Sequence, residues 1–285
     1  MKKALILLSL LVTLVGCNNG SRLSSDDNKI YYGETPVGTF LPVESDAIAY
    51  DDQMEFLDDN TLKITRTFTA LQDIDSIRLT LNFRHESECQ SAMIPSVSYD
   101  GNHWGKGKEP KGFQTDGVWH TYSYRRTPIP GATYSEGKDF AVAMWSTNPT
   151  NEADAFSCSL MSEDTEVTHS LILPEEERPF IYSGRDSYKD GFARKLSMRK
   201  GETRKMEAYL SVSPKSDNSY PIATFLDKAW ELADKEYAKG TPADKIWEYG
   251  IRYVKESLWA EEKEYKGFSI GLVPDGKGGW KQRPF

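Results

Sequence analysis

Apolar and polar residues alternate with a period of two from Ile30 to about Val212. In residues 61–68, Leu62, Ile64 and Phe68 share one face, and Lys63, Thr65 and Thr67 the other. In residues 76–83 the split is cleaner, with Ile77, Leu79, Leu81 and Phe83 set against Arg78, Thr80 and Asn82. Side chains of a strand point alternately to the two faces of its sheet, so this period predicts half-buried strands. Similar runs recur at 118–124, 139–146, 167–173 and 203–212, and turn signals such as Asp116-Gly117, Pro130-Gly131 and Asp190-Gly191 separate them. Many strands with no helical period between them predict a mainly β fold, a large antiparallel β-sandwich over residues 30–215.

The period changes at Ser219. Ser219 is placed to cap a helix and Pro221 suits its first turn. Ile222, Phe225, Leu226, Ala229, Trp230, Ala233 and Tyr237 then follow a helical stripe that Gly240 stops. Thr241-Pro242 opens a second helix with Ile246, Tyr249, Gly250, Tyr253 and Val254 on one side. Residues 267–273 read as a strand and 280–285 as its return, a short β-hairpin around Asp275-Gly276 and Gly278-Gly279. Two helices and a hairpin bury little by themselves. Residues 216–285 are thus expected either to pack on the sandwich or to open a further domain. In the second case the helices expose an apolar face that a protein partner or a second copy covers.

The first residues belong to none of this. Lys2 and Lys3 precede an apolar run of twelve residues, 4–15. A membrane-spanning helix needs about 20, so the run reads as a signal-peptide core. Leu14-Val15-Gly16-Cys17 resembles the bacterial lipobox, which implies acylation of the Cys17 sulfur and cleavage before it. An ordinary secretory signal with a chance cysteine is the plainer account. Residues 1–16 are then a lipoprotein signal peptide and 17–29, rich in Ser, Asn, Gly and Asp, a solvated tether. Asn18 stands where an aspartate would retain the protein at the inner membrane, so the resemblance implies an outer-membrane location.

Charge narrows the partners. The chain has 35 basic and 43 acidic residues. Removing residues 1–16 takes away Lys2 and Lys3, leaving 33 against 43, a net charge of −10. That excludes nucleic acid, whose binding rests on clustered Lys and Arg. An acidic, aromatic-rich exported chain suits neutral or polymeric ligands. His85, His103, His120 and His169 show no metal-binding spacing, and His85-Glu86-Ser87-Glu88-Cys89 has suitable atoms without a recognised geometry. No metal and no cofactor are expected. Cys89 and Cys158 either pair in an oxidising compartment or remain two buried thiols, the disulfide being the favoured expectation.

Four stretches carry a family resemblance: Ser98-Tyr99-Asp100-Gly101-Asn102-His103-Trp104-Gly105, Pro130-Gly131-Ala132-Thr133-Tyr134-Ser135, Ser157-Cys158-Ser159-Leu160, and His169-Ser170-Leu171-Ile172-Leu173-Pro174-Glu175-Glu176-Glu177. They resemble the N-terminal region of large bacterial glycosidase-like proteins. Those are built from a β-supersandwich, a helical linker and an (α/α)6 toroid. The similarity covers roughly residues 30–285. It implies that the catalytic acid and base belong to the toroid, of which this sequence holds at most the first turn.

The loop 100–112 holds the candidate ligand contacts. Asp100, Asn102 and Gly105 fit three positions of a calcium loop, but Trp104 and Lys111 stand where oxygen ligands are required. A flat indole stacks on a sugar ring while Asp and Asn bond its hydroxyls, so Asp100, Asn102, His103 and Trp104 form a candidate glycan contact. A turn whose Trp104 covers the sandwich edge is the plainer account. Glu175-Glu176-Glu177 and Glu261-Glu262 read as solvated charge runs, and Trp230, Trp247 and Trp259 as packing between helices and sandwich. The favoured expectation is a surface lipoprotein with a non-catalytic, accessory or glycan-binding sandwich. The alternatives are the front of a truncated or split glycoside hydrolase and a structural envelope protein.

Overall fold

The computed structural model describes residues 22–99, 113–115, 118–163, 165–178, 180–181, 188–189, 192–216, 219–233, 241–262, 265–269, 272–274, 276–277 and 279–282. Cys17 and the loop residues Asp100, Asn102, His103 and Trp104 lie outside them. The chain divides into two compact units, residues 1–233 and 234–285.

The first unit is an antiparallel β-sandwich. Its strands in chain order are β1 (Leu23–Asp26), β2 (Lys29–Tyr32), β3 (Thr35–Phe40), β4 (Ile48–Phe56), β5 (Thr61–Ala70), β6 (Leu79–His85), β7 (Ser91–Ile94) and β8 (Ser98–Tyr99). They continue with β9 (Thr121–Ser123), β10 (Thr133–Glu136), β11 (Phe140–Trp145), β12 (Ser157–Ser162), β13 (Val167–Leu173) and β14 (Thr203–Pro214). The first sheet runs β1-β2-β3-β6-β13-β12-β9 and the second β4-β5-β14-β11-β10-β7-β8, seven strands each.

The alternation in the sequence maps onto these sheets. Leu62, Ile64 and Phe68 of β5 meet Leu79, Leu81 and Phe83 of β6 in one core, with Phe40, Val142, Leu171 and Leu210. The predicted strand over 76–83 is interrupted at Arg78, and its first residues, Ser76 and Ile77, belong to a separate strand, Ile74–Ile77, that pairs with Leu196–Met198.

One inward position of β5 is charged. Arg66 is fully buried. Its Nε and Nη2 donate to Asp52 Oδ1 and Oδ2 at 2.7 and 2.6 Å. Nη1 donates across the sandwich to the Leu41 carbonyl at 2.9 Å, and the guanidinium lies 4.6 Å from the Tyr50 ring centre. A buried ion pair holds only when such bonds complete it, and breaking one costs about 3–5 kcal/mol.

Helix α1 (Pro221–Leu232) covers the outer face of the second sheet. All of β11 is buried: Phe140, Val142 and Met144 face the inter-sheet core, while Ala141, Ala143 and Trp145 face α1. Phe225 meets Trp145 at 5.1 Å between ring centres and stacks on Tyr134. Lys228 ties the helix to Asp58 at 2.9 Å. Ser219 does not cap it, because its hydroxyl bonds Ser216, and Tyr220 takes the cap position without a side-chain bond.

For Trp230 the packing expectation is overturned. Trp230 is 61% exposed and Trp247 73%, and Trp259 packs edge-on against Phe268 at 5.1 Å. Phe225 and Ala229 supply the buried face of α1, one turn-position away from Trp230.

The second unit contains α2 (Ala243–Tyr253), a wide turn over Val254–Leu258, and two hairpins. These pair Trp259–Glu262 with Tyr265–Phe268, and Leu272–Pro274 with Trp280–Gln282. The strand expected over 267–273 is therefore divided between them. No residue of α2 is buried.

Cys89 and Cys158 form no disulfide. Register places Cys158 opposite Leu171, itself opposite Leu81, whereas Cys89 follows β6 beyond His85. Cys158 thus sits within the sheet and Cys89 in the segment after it, and the two sulfurs are not bonded.

Phe225→Ala is expected to lower unfolding free energy by about 3 kcal/mol through the cavity it leaves, and Trp230→Ala by less than about 1 kcal/mol. Urea unfolding of the two variants checks this; equal losses would mean that Trp230 shares the packing.

Candidate functional site

Strand β13 is buried at every position. Val167, Leu171 and Leu173 point to the core, so Thr168, Ser170 and Ile172 point outward, where a solvated sheet would leave them wet. On β12 the outward Ser157 and Ser159 are equally enclosed.

The cover is the chain itself. After β13 it folds back over the sheet edge, where Arg178 and Thr121 exchange backbone bonds of 2.7 and 3.1 Å. Ser157 Oγ donates to the Glu176 carbonyl at 2.6 Å and accepts from Glu176 N–H at 2.7 Å.

Glu175, Glu176 and Glu177 are consequently buried, not a solvated charge run. Each carboxylate has its own cationic partner. Arg194 Nε lies 2.9 Å from Glu175, whose other oxygen accepts from Ser123 Oγ at 2.5 Å. Arg126 grips Glu177 with two bonds of 2.7 and 2.9 Å. Arg78 donates Nε and Nη2 to Glu176 Oε1 at 3.2 and 3.1 Å, with Arg178 Nε 3.7 Å from Oε2.

Beside this segment the outer face opens into a cleft of about 490 Å³, within the 300–1,000 Å³ range typical of small-ligand sites. Its floor is one register row across four strands: Thr121, Ser159, Ser170 and Asn82. Trp119 and Val118 form a wall, and Arg78, Arg178 and Glu176 supply the charge.

Two floor atoms, Asn82 Oδ1 and Thr121 Oγ1, are buried without a hydrogen-bond partner among the described residues. Each such atom costs about 1–3 kcal/mol, and native folds keep few of them. Among the described lining residues Glu176 is the one carboxylate. Glycoside hydrolysis uses two carboxyl groups across the scissile bond, and Glu176 is engaged by two arginines.

A second polar cluster lies between the sheets. His169 is fully buried, with Nδ1 2.9 Å from Thr133 Oγ1 and Nε2 2.9 Å from Ser135 Oγ. His85 Nδ1 lies 3.1 Å from the same Ser135 Oγ. Thr133 spends its proton on the Met144 carbonyl at 3.3 Å. That fixes the remaining protons by inference: His169 Nδ1–H donates to Thr133, Ser135 donates to His169 Nε2, and His85 Nδ1–H donates to Ser135. Both rings are neutral in this arrangement.

Burial pushes the His85 and His120 imidazoles down to about 4 and that of His169 to about 3, the last with help from the neighbouring His85. Their partners include side-chain hydroxyls, with Tyr122 beside His120. Burial raises the Cys158 thiol to about 12, that of an inert core residue. Among the described residues no cluster of three His, Cys, Asp or Glu side chains is placed to hold a metal ion.

The sequence reading placed the ligand contacts on the loop 100–112, outside the described residues, and missed the cleft. Its signal was present in the outward, small and polar set of β12 and β13, beside Trp119.

The fold defines an antiparallel β-sandwich with a cleft on one outer face. No protein-family model and no curated protein matches the chain. Among solved structures, a protein of Escherichia coli K12 assigned as an aldose 1-epimerase is similar over 67% of this chain and 67% of its own, at 15% identity and TM-score 0.30. That likeness carries no functional argument.

The histidines give a pH expectation. Their folded values lie below the ordinary 6.5, so between about 6.5 and 4 the unfolded chain binds protons that the fold refuses. Stability is full above about 6.5 and falls, on the order of a few kcal/mol, as pH drops towards 4. Urea midpoints across this range check the sign; a midpoint unchanged between pH 7 and 5 would contradict the neutral assignment.

Proposed function

We propose that this chain is a lipoprotein anchored outside the cytoplasm, at the outer membrane, through acylated Cys17, and that its sandwich binds an oligosaccharide without hydrolysing it. The outer-face cleft carries this reading. It joins an indole to a floor of small polar side chains. Sugar rings present apolar C–H faces beside a rim of hydroxyls, and such a surface complements both. The one carboxylate among the described lining residues, paired with two arginines, supports binding without turnover. The lipid anchor rests on the lipobox resemblance at residues 14–17.

A second reading makes this chain the front of a larger glycoside hydrolase. One observation favours it: Ile246, Trp247, Tyr249 and Ile251 are all exposed on α2, a surface that a further domain would cover. Coding sequence for helical hairpins following Phe285 in frame would support it, and a stop followed by an unrelated gene would count against it.

On a glycan array followed by calorimetry, binding without product release is expected. Trp119→Ala should weaken it at least ten-fold, about 1.4 kcal/mol, with the melting temperature recorded as a folding control. A full survey without binding would remove the glycan reading. For the anchor, Cys17→Ala should move the protein from the detergent phase to the aqueous phase in Triton X-114 partition; an unchanged partition would refute acylation at Cys17.

A further inference from the structure

The charge around the cleft says more about its ligand. Arg78 and Arg178 share the one carboxylate of Glu176, which leaves an excess of one positive charge. The neighbouring carboxylates do not cancel it, because Glu177 is engaged by Arg126, and Glu175 by Arg194 and Ser123. This local cation sits on a chain whose net charge is −8.

Arg178 stands out between the two. Its 3.7 Å approach to Glu176 is too long for a hydrogen bond, and its side chain is 55% exposed, against 7% for the glutamate. Among the described residues its guanidinium makes no hydrogen bond. Its backbone is nevertheless fixed by two bonds to Thr121 on the cleft floor. An exposed guanidinium lining the cleft presents a planar fork that matches an oxyanion.

We infer that the cleft takes an acidic saccharide, with one singly charged oxyanion of the sugar, a uronate carboxylate or a sulfate ester, seated on Arg178 beside the Trp119 wall. This rests on the glycan-binding reading and names the class of sugar. Arg178 supplies charge and orientation, and Trp119 a stacking face. The preference is electrostatic, so it weakens with salt.

The test uses the full chain in detergent and titrates a panel of oligouronates, their carboxyl-reduced counterparts and sulfated oligosaccharides. An acidic member is expected to bind at least ten-fold tighter than its neutral counterpart, with affinity falling between 50 and 500 mM salt, about a three-fold change in screening length. Preference for the uronate or the sulfated member identifies which oxyanion is recognised. Arg178→Ala should cost about ten-fold and Arg178→Glu all measurable binding, on the scale of a lost charged contact.

Equal affinity for acidic and neutral sugars would overturn the inference and leave the glycan reading standing. Binding by no member would overturn both. If the Arg178 variants fail to fold, the carboxyl-reduction comparison on the unaltered protein decides.

Discussion

Strand β13 is buried along its whole length and on both faces, and much of the surrounding structure answers to that double cover. A strand enclosed on one side alternates cleanly; a strand enclosed on both must satisfy every polar side chain inside the protein. On the inner face this falls on His169, which the hydroxyls of Thr133 and Ser135 accommodate from the opposite sheet. On the outer face it falls on Ser170, whose neighbours across the register are also small and polar. The same strand therefore organises a neutral histidine layer inside and a cleft floor outside.

The cover over the outer face brings its own cost. The folded-back segment carries three consecutive glutamates into enclosed positions, and isolated buried carboxylates are far too expensive to keep ionised. Four arginines, Arg78, Arg126, Arg178 and Arg194, gather around them. They remain 40–55% exposed, so the attraction is screened and compensation rests largely on hydrogen-bond geometry. Compensation exceeds neutrality at Glu176, where two arginines meet one carboxylate. The cationic cleft of an acidic protein is thus a by-product of how its own chain is packed down.

Arg66 solves the same problem at the centre of the sandwich. It takes an inward position of β5 between Ile64 and Phe68, and its two-pronged contact with Asp52 uses the pairing of β4 with β5. The added bond to Leu41 joins the second sheet to the first. A hydrophobic residue there would pack as well, but without that link between sheets.

Composition and period alone determined that this is a β-sandwich followed by helices, and which apolar residues of β5 and β6 face inward. Side-chain alternation is a local property of extended backbone and survives without tertiary information. Arg66, between Ile64 and Phe68, went unassigned in that pattern, and only the contact with Asp52 accounts for its burial. Exposure of consecutive charges is another matter. Glu175-Glu176-Glu177 looks solvated in one dimension, because the arginines that enclose it are drawn from positions 78, 126, 178 and 194. The helix stripe likewise named Phe225 and Trp230 together, and only contact with β11 separated the buried ring from the exposed one. The pattern along the chain fixed which elements form; long-range pairing decided which polar groups are enclosed, and with them where the cleft lies and what charge it carries.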